Sequence, residues 1–102
     1  MGYKLRWKQE AEAEFDRLDS GVRKQAFTQL KKLAVSPDLG LPLGHKAGLD
    51  LTGYRKLYFG QKKYRIVYKL DGANKDVMIF AIGKREDMTV YREVVRRLES
   101  GA

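Results

Sequence analysis

The stretch from Tyr64 to Gly83 reads YRIVYKLDGANKDVMIFAIG, and its two halves carry different strand signals. Tyr64, Ile66, Tyr68 and Leu70 alternate with Arg65, Val67 and Lys69, the period of a strand with one apolar face. Val77 to Ile82 is apolar at every position. A strand of that kind needs cover on both faces, so it is expected at the centre of a sheet. Asp71 to Asp76 between them is rich in Gly, Asn and Asp, the composition of a hairpin turn. An antiparallel pair is therefore the nucleus around which the rest is placed.

Upstream, Tyr54 to Phe59 reads as another strand, with Leu57 and Phe59 on one face and Lys56 and Tyr58 on the other. Gly60 to Lys63 is its hairpin turn into Tyr64. The segment from Pro37 to Gly53 holds both prolines and four of the ten glycines, so it is expected to be a long connection of functional or mobile character. Before it, Tyr3 to Trp7 alternates as a short strand, and Trp7 is expected to pack at its end. From Lys8 the spacing turns helical: Ala11, Phe15 and Leu18 share one stripe. Asp19-Ser20-Gly21 breaks the pattern, with Ser20 as the expected N-cap of a second helix. That helix carries Val22, Ala26, Leu30, Leu33 and Ala34 inward and stops near Ser36-Pro37. The two helices should form an antiparallel hairpin. A last helix is expected from about Asp87, as its cap, to Glu99, with Tyr91, Val94, Val95 and Leu98 aligned. The predicted order is β-α-α-β-β-β-α, an α+β domain over residues 1–102 with helices packed on a small, mainly antiparallel sheet.

A chain of 102 residues suits one domain with a single core and a surface groove rather than a deep cavity. Apolar residues make up 43%, too many for a disordered tail. The run from Val77 to Ile82 is too short to cross a bilayer, and the N-terminus lacks the apolar segment of a secretion signal. The chain has no cysteine, which removes disulfides and thiolates from the chemistry. These features predict a cytoplasmic protein. The net charge is +8, and residues 51–102 hold twelve of the 21 basic side chains. A one-sided basic surface suits phosphates or an acidic protein; a solvated face serving solubility has the same composition.

The cations have a pattern. Lys56 and Tyr58 share a face, and Arg65 on the neighbouring strand is expected on that face too. Arg85 follows Gly83 at the exit of the central strand, and Tyr91 stands near the first turn of the last helix. Together they could line a shallow concavity in which Arg presents a planar fork to phosphate oxygens and Lys a point charge. Crowded cations lower the pKa of a neighbouring Lys or Tyr, which favours proton transfer near neutrality. An ordinary strand exit with solvated charges and a packed tyrosine fits the spacing as well.

Three pieces of sequence carry a resemblance: GYRKLYFG at residues 53–60, YRIVYKL from Tyr64, and MIFAIGKREDMTVYREVVRRL from Met78. Joined in this order, they resemble the RelE/ParE toxin superfamily, specifically its RelE-like branch, over nearly the whole chain. The resemblance implies the toxin of a type II toxin–antitoxin system, a ribosome-dependent endoribonuclease that cuts mRNA in the decoding site. Its expected partners are a cognate antitoxin, in a hetero-oligomer, and the ribosome with its message, with no membrane association. It implies no metal or other cofactor: the ribose 2′-hydroxyl attacks the adjacent phosphate. Residue by residue, Lys56 matches a catalytic-face lysine and Arg65 the arginine that holds the scissile phosphate. Arg85 matches the arginine at the leaving oxygen, and Tyr91 the tyrosine that orients or stacks on the nucleotide. Arg55, Lys63 and Lys84 are expected to contact RNA. Tyr58 stands where the family has a second basic residue, which leaves the general base open among Lys56, Tyr58 and Tyr91.

Other features carry less. His45 is the only histidine and reads as a plain loop residue, against a histidine-based ribonuclease. The acids of EAEAEFD, at residues 10–16, read as a solvated helix face. No P-loop or dinucleotide glycine pattern occurs. Two other functions share the expected fold: a ParE-like gyrase inhibitor without nuclease chemistry, and a catalytically silent RNA-binding module.

Overall fold

Alternating strands and two amphipathic helices meet in a two-layer arrangement in the computed structural model, which describes residues 2–46, 48–84 and 96. The elements are β1 (Lys4–Trp7), α1 (Gln9–Arg17), α2 (Ser20–Val35), β2 (Leu41–Lys46), β3 (Leu49–Phe59), β4 (Tyr64–Asp71) and β5 (Asp76–Lys84). The sheet order is β1-β5-β4-β3-β2. β1 runs parallel to β5, while β5, β4, β3 and β2 pair antiparallel in sequence. The apolar run of β5 therefore lies inside the sheet, between β1 and β4, as its lack of a polar face requires.

Both helices cover the same face. Ala11 of α1 and Ala26, Leu30 and Leu33 of α2 pack with Phe59, Ile66, Tyr68, Val77, Ile79 and Ile82. Alternation sends the intervening strand residues to the opposite face, where Leu43, Leu51, Tyr54, Val67, Phe80 and Ala81 form a second, smaller cluster. A register shift between Val67 and Tyr68, opposite Ala81 and Ile79, leaves Phe80 as the extra residue. This bulge lets Phe80 and Ala81 both join the second face.

Three expectations need correction. The segment 37–53 is not one long loop, because it contains β2 and the first part of β3. Its prolines and glycines hid an edge strand. Pro42 sits in the outermost strand, where a missing N–H can face away from the ladder. Gly44 has a positive φ of 59° at a register shift. His45 is accordingly a strand residue paired with Asp50, though still exposed. The cap of α2 is Asp19, whose Oδ1 accepts from the Val22 backbone N–H at 2.9 Å, and Ser20 is the first helical residue. Two acids expected on a solvated face make contacts instead. Glu14 Oε1 accepts from the Ile82 N–H at 3.2 Å, and Glu10 pairs with Arg96 at 3.6 Å. The expected last helix, with Asp87 as cap, lies outside the described residues except for Arg96, which is helical.

Behind β3 the chain from Pro37 to Gly40 is clamped. The buried Tyr68 hydroxyl donates to the Pro37 carbonyl at 2.9 Å and accepts from the Gly40 N–H at 2.8 Å. A Cβ at Gly40 would lie 2.6 Å from both the Lys56 carbonyl oxygen and the Tyr68 hydroxyl. Glycine is required there by close backbone approach.

Candidate active site

The second face of the sheet carries Lys56, Tyr58 and Arg65. Tyr58 lies directly across from Arg65, which in turn pairs with Gly83; Lys56 lies across from Val67, which pairs with Ala81. Side chains directly opposite on one face have Cβ atoms about 4.5–5.5 Å apart. Three of the five expected catalytic residues, Lys56, Tyr58 and Arg65, therefore stand side by side. The Lys56 Nζ lies 5.0 Å from the Tyr58 ring centroid, so the phenol ring bears on the ammonium through its negative face.

Arg65 is only 2% exposed, and its Nη2 donates to the Lys84 carbonyl at 3.3 Å. That contact ties the guanidinium to the end of β5. A guanidinium keeps its charge at any ordinary pH, and a low-dielectric setting strengthens its pull on an approaching anion. Lys56 and Tyr58 are both half-buried.

The remaining expected residues divide. Arg85 and Tyr91 lie outside the described residues. Arg55 pairs with Tyr68 and so points to the helix side, away from Lys56. Its Nη1 donates to the Gly40 carbonyl at 2.7 Å and to that of Asp38 at 3.4 Å. Arg55 thus clamps the chain leading into β2. Lys63 is exposed in the β3–β4 turn. Lys84 is exposed at the end of β5, in register with Tyr64 on the helix side.

Sequence reasoning passed over three cations on the second face. Lys8 is buried, with its Nζ 5.1 Å from the Phe80 ring centroid. Lys69 Nζ lies 5.4 Å from the ring centroid of Tyr54, which meets Phe80 edge to face. Arg6 stands on β1 at the sheet edge. The signal was present in Lys4-Leu5-Arg6-Trp7-Lys8, whose cations alternate with apolar residues bound for the other face. Among the described residues, no three His, Asp or Glu side chains could together hold a metal ion, and no helix is long and apolar enough to cross a membrane.

Residues 5–89 match the family described as ParE toxin of type II toxin-antitoxin system, parDE. The mRNA interferase toxin RelE of Escherichia coli strain K12 is 31% identical over 104 aligned positions, covering 96% of this chain and 99% of that protein. Among solved structures, a mutant of the E. coli toxin RelE in the free state superposes with a TM-score of 0.75 at 28% identity, covering 96% of this chain and 99% of that one. The intact E. coli RelBE toxin–antitoxin complex contains a similar chain, with a TM-score of 0.68 at 26% identity over 82% of this chain and 98% of that one. These likenesses run through both helices and the sheet that carries Lys56, Tyr58 and Arg65, and they show that the chain belongs to the RelE/ParE superfamily of type II toxins as a RelE-like member.

Proposed function

We propose that this chain is a toxin that cleaves mRNA on the ribosome, using the second face of its sheet as the active surface. The observation that carries the reading is the grouping of Lys56, Tyr58 and Arg65 on one face. It occurs in a chain 31% identical, nearly end to end, to a protein named as an mRNA interferase toxin. In the reaction, the ribose 2′-oxygen bonds to the adjacent phosphorus, the bond to the 5′-oxygen breaks, and a 2′,3′-cyclic phosphate and a 5′-hydroxyl result. Lys56 takes the 2′ proton and becomes the ammonium that the face of the Tyr58 ring stabilises. Arg65 binds the phosphate oxygens and gains strength as their charge grows. Such stabilisation is usually the largest protein contribution. Arg85 hydrogen-bonds the leaving oxygen, which takes its proton from water because a guanidinium does not release one. Tyr91 stacks on the nucleotide.

A chain without a strong base depends on the ribosome to bend the message into line, so free RNA should be cut poorly. The toxin is held silent by a cognate antitoxin in a hetero-oligomer, and both act in the cytoplasm. The description of the matching family favours one other reading, a gyrase inhibitor without nuclease chemistry. Primer extension on messages from a translating extract separates the two. Codon-phased cuts that vanish with Arg85→Ala support the nuclease, whereas intact messages with blocked DNA supercoiling support the inhibitor.

A further inference from the structure

At the opposite end of the second face from Arg65, an open groove of about 610 Å3 lies where β1, β4 and β5 meet. Met78 and Phe80 give it an apolar lining, and Arg6, Lys69, Asp71 and Asn74 add polar groups. Lys69 is exposed and on the same strand face as Arg65, four residues further along β4, roughly 13 Å at strand rise. Arg6 is tied only loosely, with Nη1 3.5 Å from Asp76 Oδ2 and its side chain 62% exposed. A guanidinium has five N–H donors, so most of them stay available. Asp71 is fixed by its turn: Oδ2 accepts from the Asn74 side-chain amide at 2.7 Å and Oδ1 from the Asn74 backbone N–H at 3.2 Å. These bonds hold its carboxyl below the usual range, and a carboxylate so ionised keeps lone pairs for further donors.

We propose that this groove is a subsite for single-stranded RNA, taking a nucleotide of the same message strand whose scissile linkage sits at Lys56 and Arg65. The proposal rests on the mRNA-cutting reading. The three kinds of group match a phosphate, the face of a base and the edge of a base. Lys69 and Arg6 take the phosphate, the Met78 side chain, backed by the buried Phe80, underlies the base, and Asp71 accepts from an exocyclic amino group, as acidic side chains do from cytosine. An acidic peptide is the competing occupant for a basic face. Here it would bring its carboxylates against Asp71 and Asp76, while an RNA base brings donors. The bases of single-stranded RNA are open to such edge contacts.

The test is fluorescence anisotropy of short labelled oligoribonucleotides with the purified chain across a salt series, for wild type, Lys69→Gln, Asp71→Asn and a control, Lys31→Gln on the exposed side of α2. The wild type should bind, and Lys69→Gln should weaken binding and flatten the salt slope by about 0.7, the value for one phosphate contact on a single strand. Asp71→Asn should reduce the preference for cytosine over uracil, and Lys31→Gln should retain the wild-type response. The subsite is overturned if wild type fails to bind RNA, if Lys69→Gln leaves slope and affinity unchanged, or if a polyglutamate peptide binds in a Lys69-dependent way and the oligomer does not. Message cutting, followed in parallel, keeps the two ideas apart. Lys69-dependent RNA binding without any cutting in a translating extract would remove the nuclease reading and leave the groove as an RNA-binding site with no scissile linkage beside it.

Discussion

Two tyrosines buried in the same sheet make opposite contributions. Tyr68 is fully buried, and its hydroxyl bonds both Pro37 and Gly40. Tyr54 is also buried, yet its hydroxyl has no hydrogen-bond partner among the described residues. Replacing Tyr68 by Phe strands the Gly40 N–H and should cost about 1–3 kcal/mol, whereas Tyr54→Phe removes an unsatisfied group and should be neutral or stabilising. Burial raises both phenols above the ordinary value of 10.0. A raised folded pKa gives stability that is complete below the unfolded value and lost as pH climbs through the folded one. Wild type should therefore weaken above about pH 10, and each Phe variant should show a shallower alkaline loss. Urea unfolding across pH measures both effects; a destabilised Tyr54→Phe would contradict the assignment. The face on which Lys56, Tyr58 and Arg65 meet was legible in the alternation of two strands. The direction of Arg55 was legible too, since it alternates with Lys56, but a count of basic residues overrides such detail.

At the scale of elements, what could be read depended on whether a segment had a period. β4, α1 and α2 have strong periods and form where those periods place them, and β5 forms on its unbroken apolar run. The β2 strand was hidden because Pro42 and Gly44 signal a loop by composition, and only pairing with β3 makes them a strand. The β3–β4 turn shows a different conflict. Gln61 and Lys62 have φ of 58° and 65°, and the Lys63 N–H returns to the Gly60 carbonyl at 3.1 Å. Two central residues with positive φ are the mark of a type I′ turn, which favours Asn-Gly. A side chain in the left-handed region costs about 1–2 kcal/mol. Lys62→Gly should therefore stabilise the fold by about 0.5–1 kcal/mol, after the greater entropy of an unfolded glycine is allowed for. An upward shift of the urea midpoint at constant slope would show it, and a downward shift would mean the turn does not hold this form.

For the whole molecule, the decisive feature is that the sheet has two differently used faces. One is covered by α1 and α2 and provides most of the core. The other carries a small apolar cluster with Arg6, Lys8, Lys56, Arg65 and Lys69 set around it. Pairing register sets Arg6, Lys56, Arg65 and Lys69 on this face, which composition alone does not carry. In the proposed reaction Arg65, held at the end of β5 by the Lys84 carbonyl, grips the phosphate being cut. The most direct measurement is the single-turnover rate of message cleavage on programmed ribosomes for wild type, Arg65→Ala and Lys31→Ala, with ribosome binding measured alongside. Arg65→Ala should still bind but cut about 100- to 1,000-fold more slowly, while Lys31→Ala should cut at the wild-type rate. Equal rates for Arg65→Ala and wild type would contradict that role of Arg65.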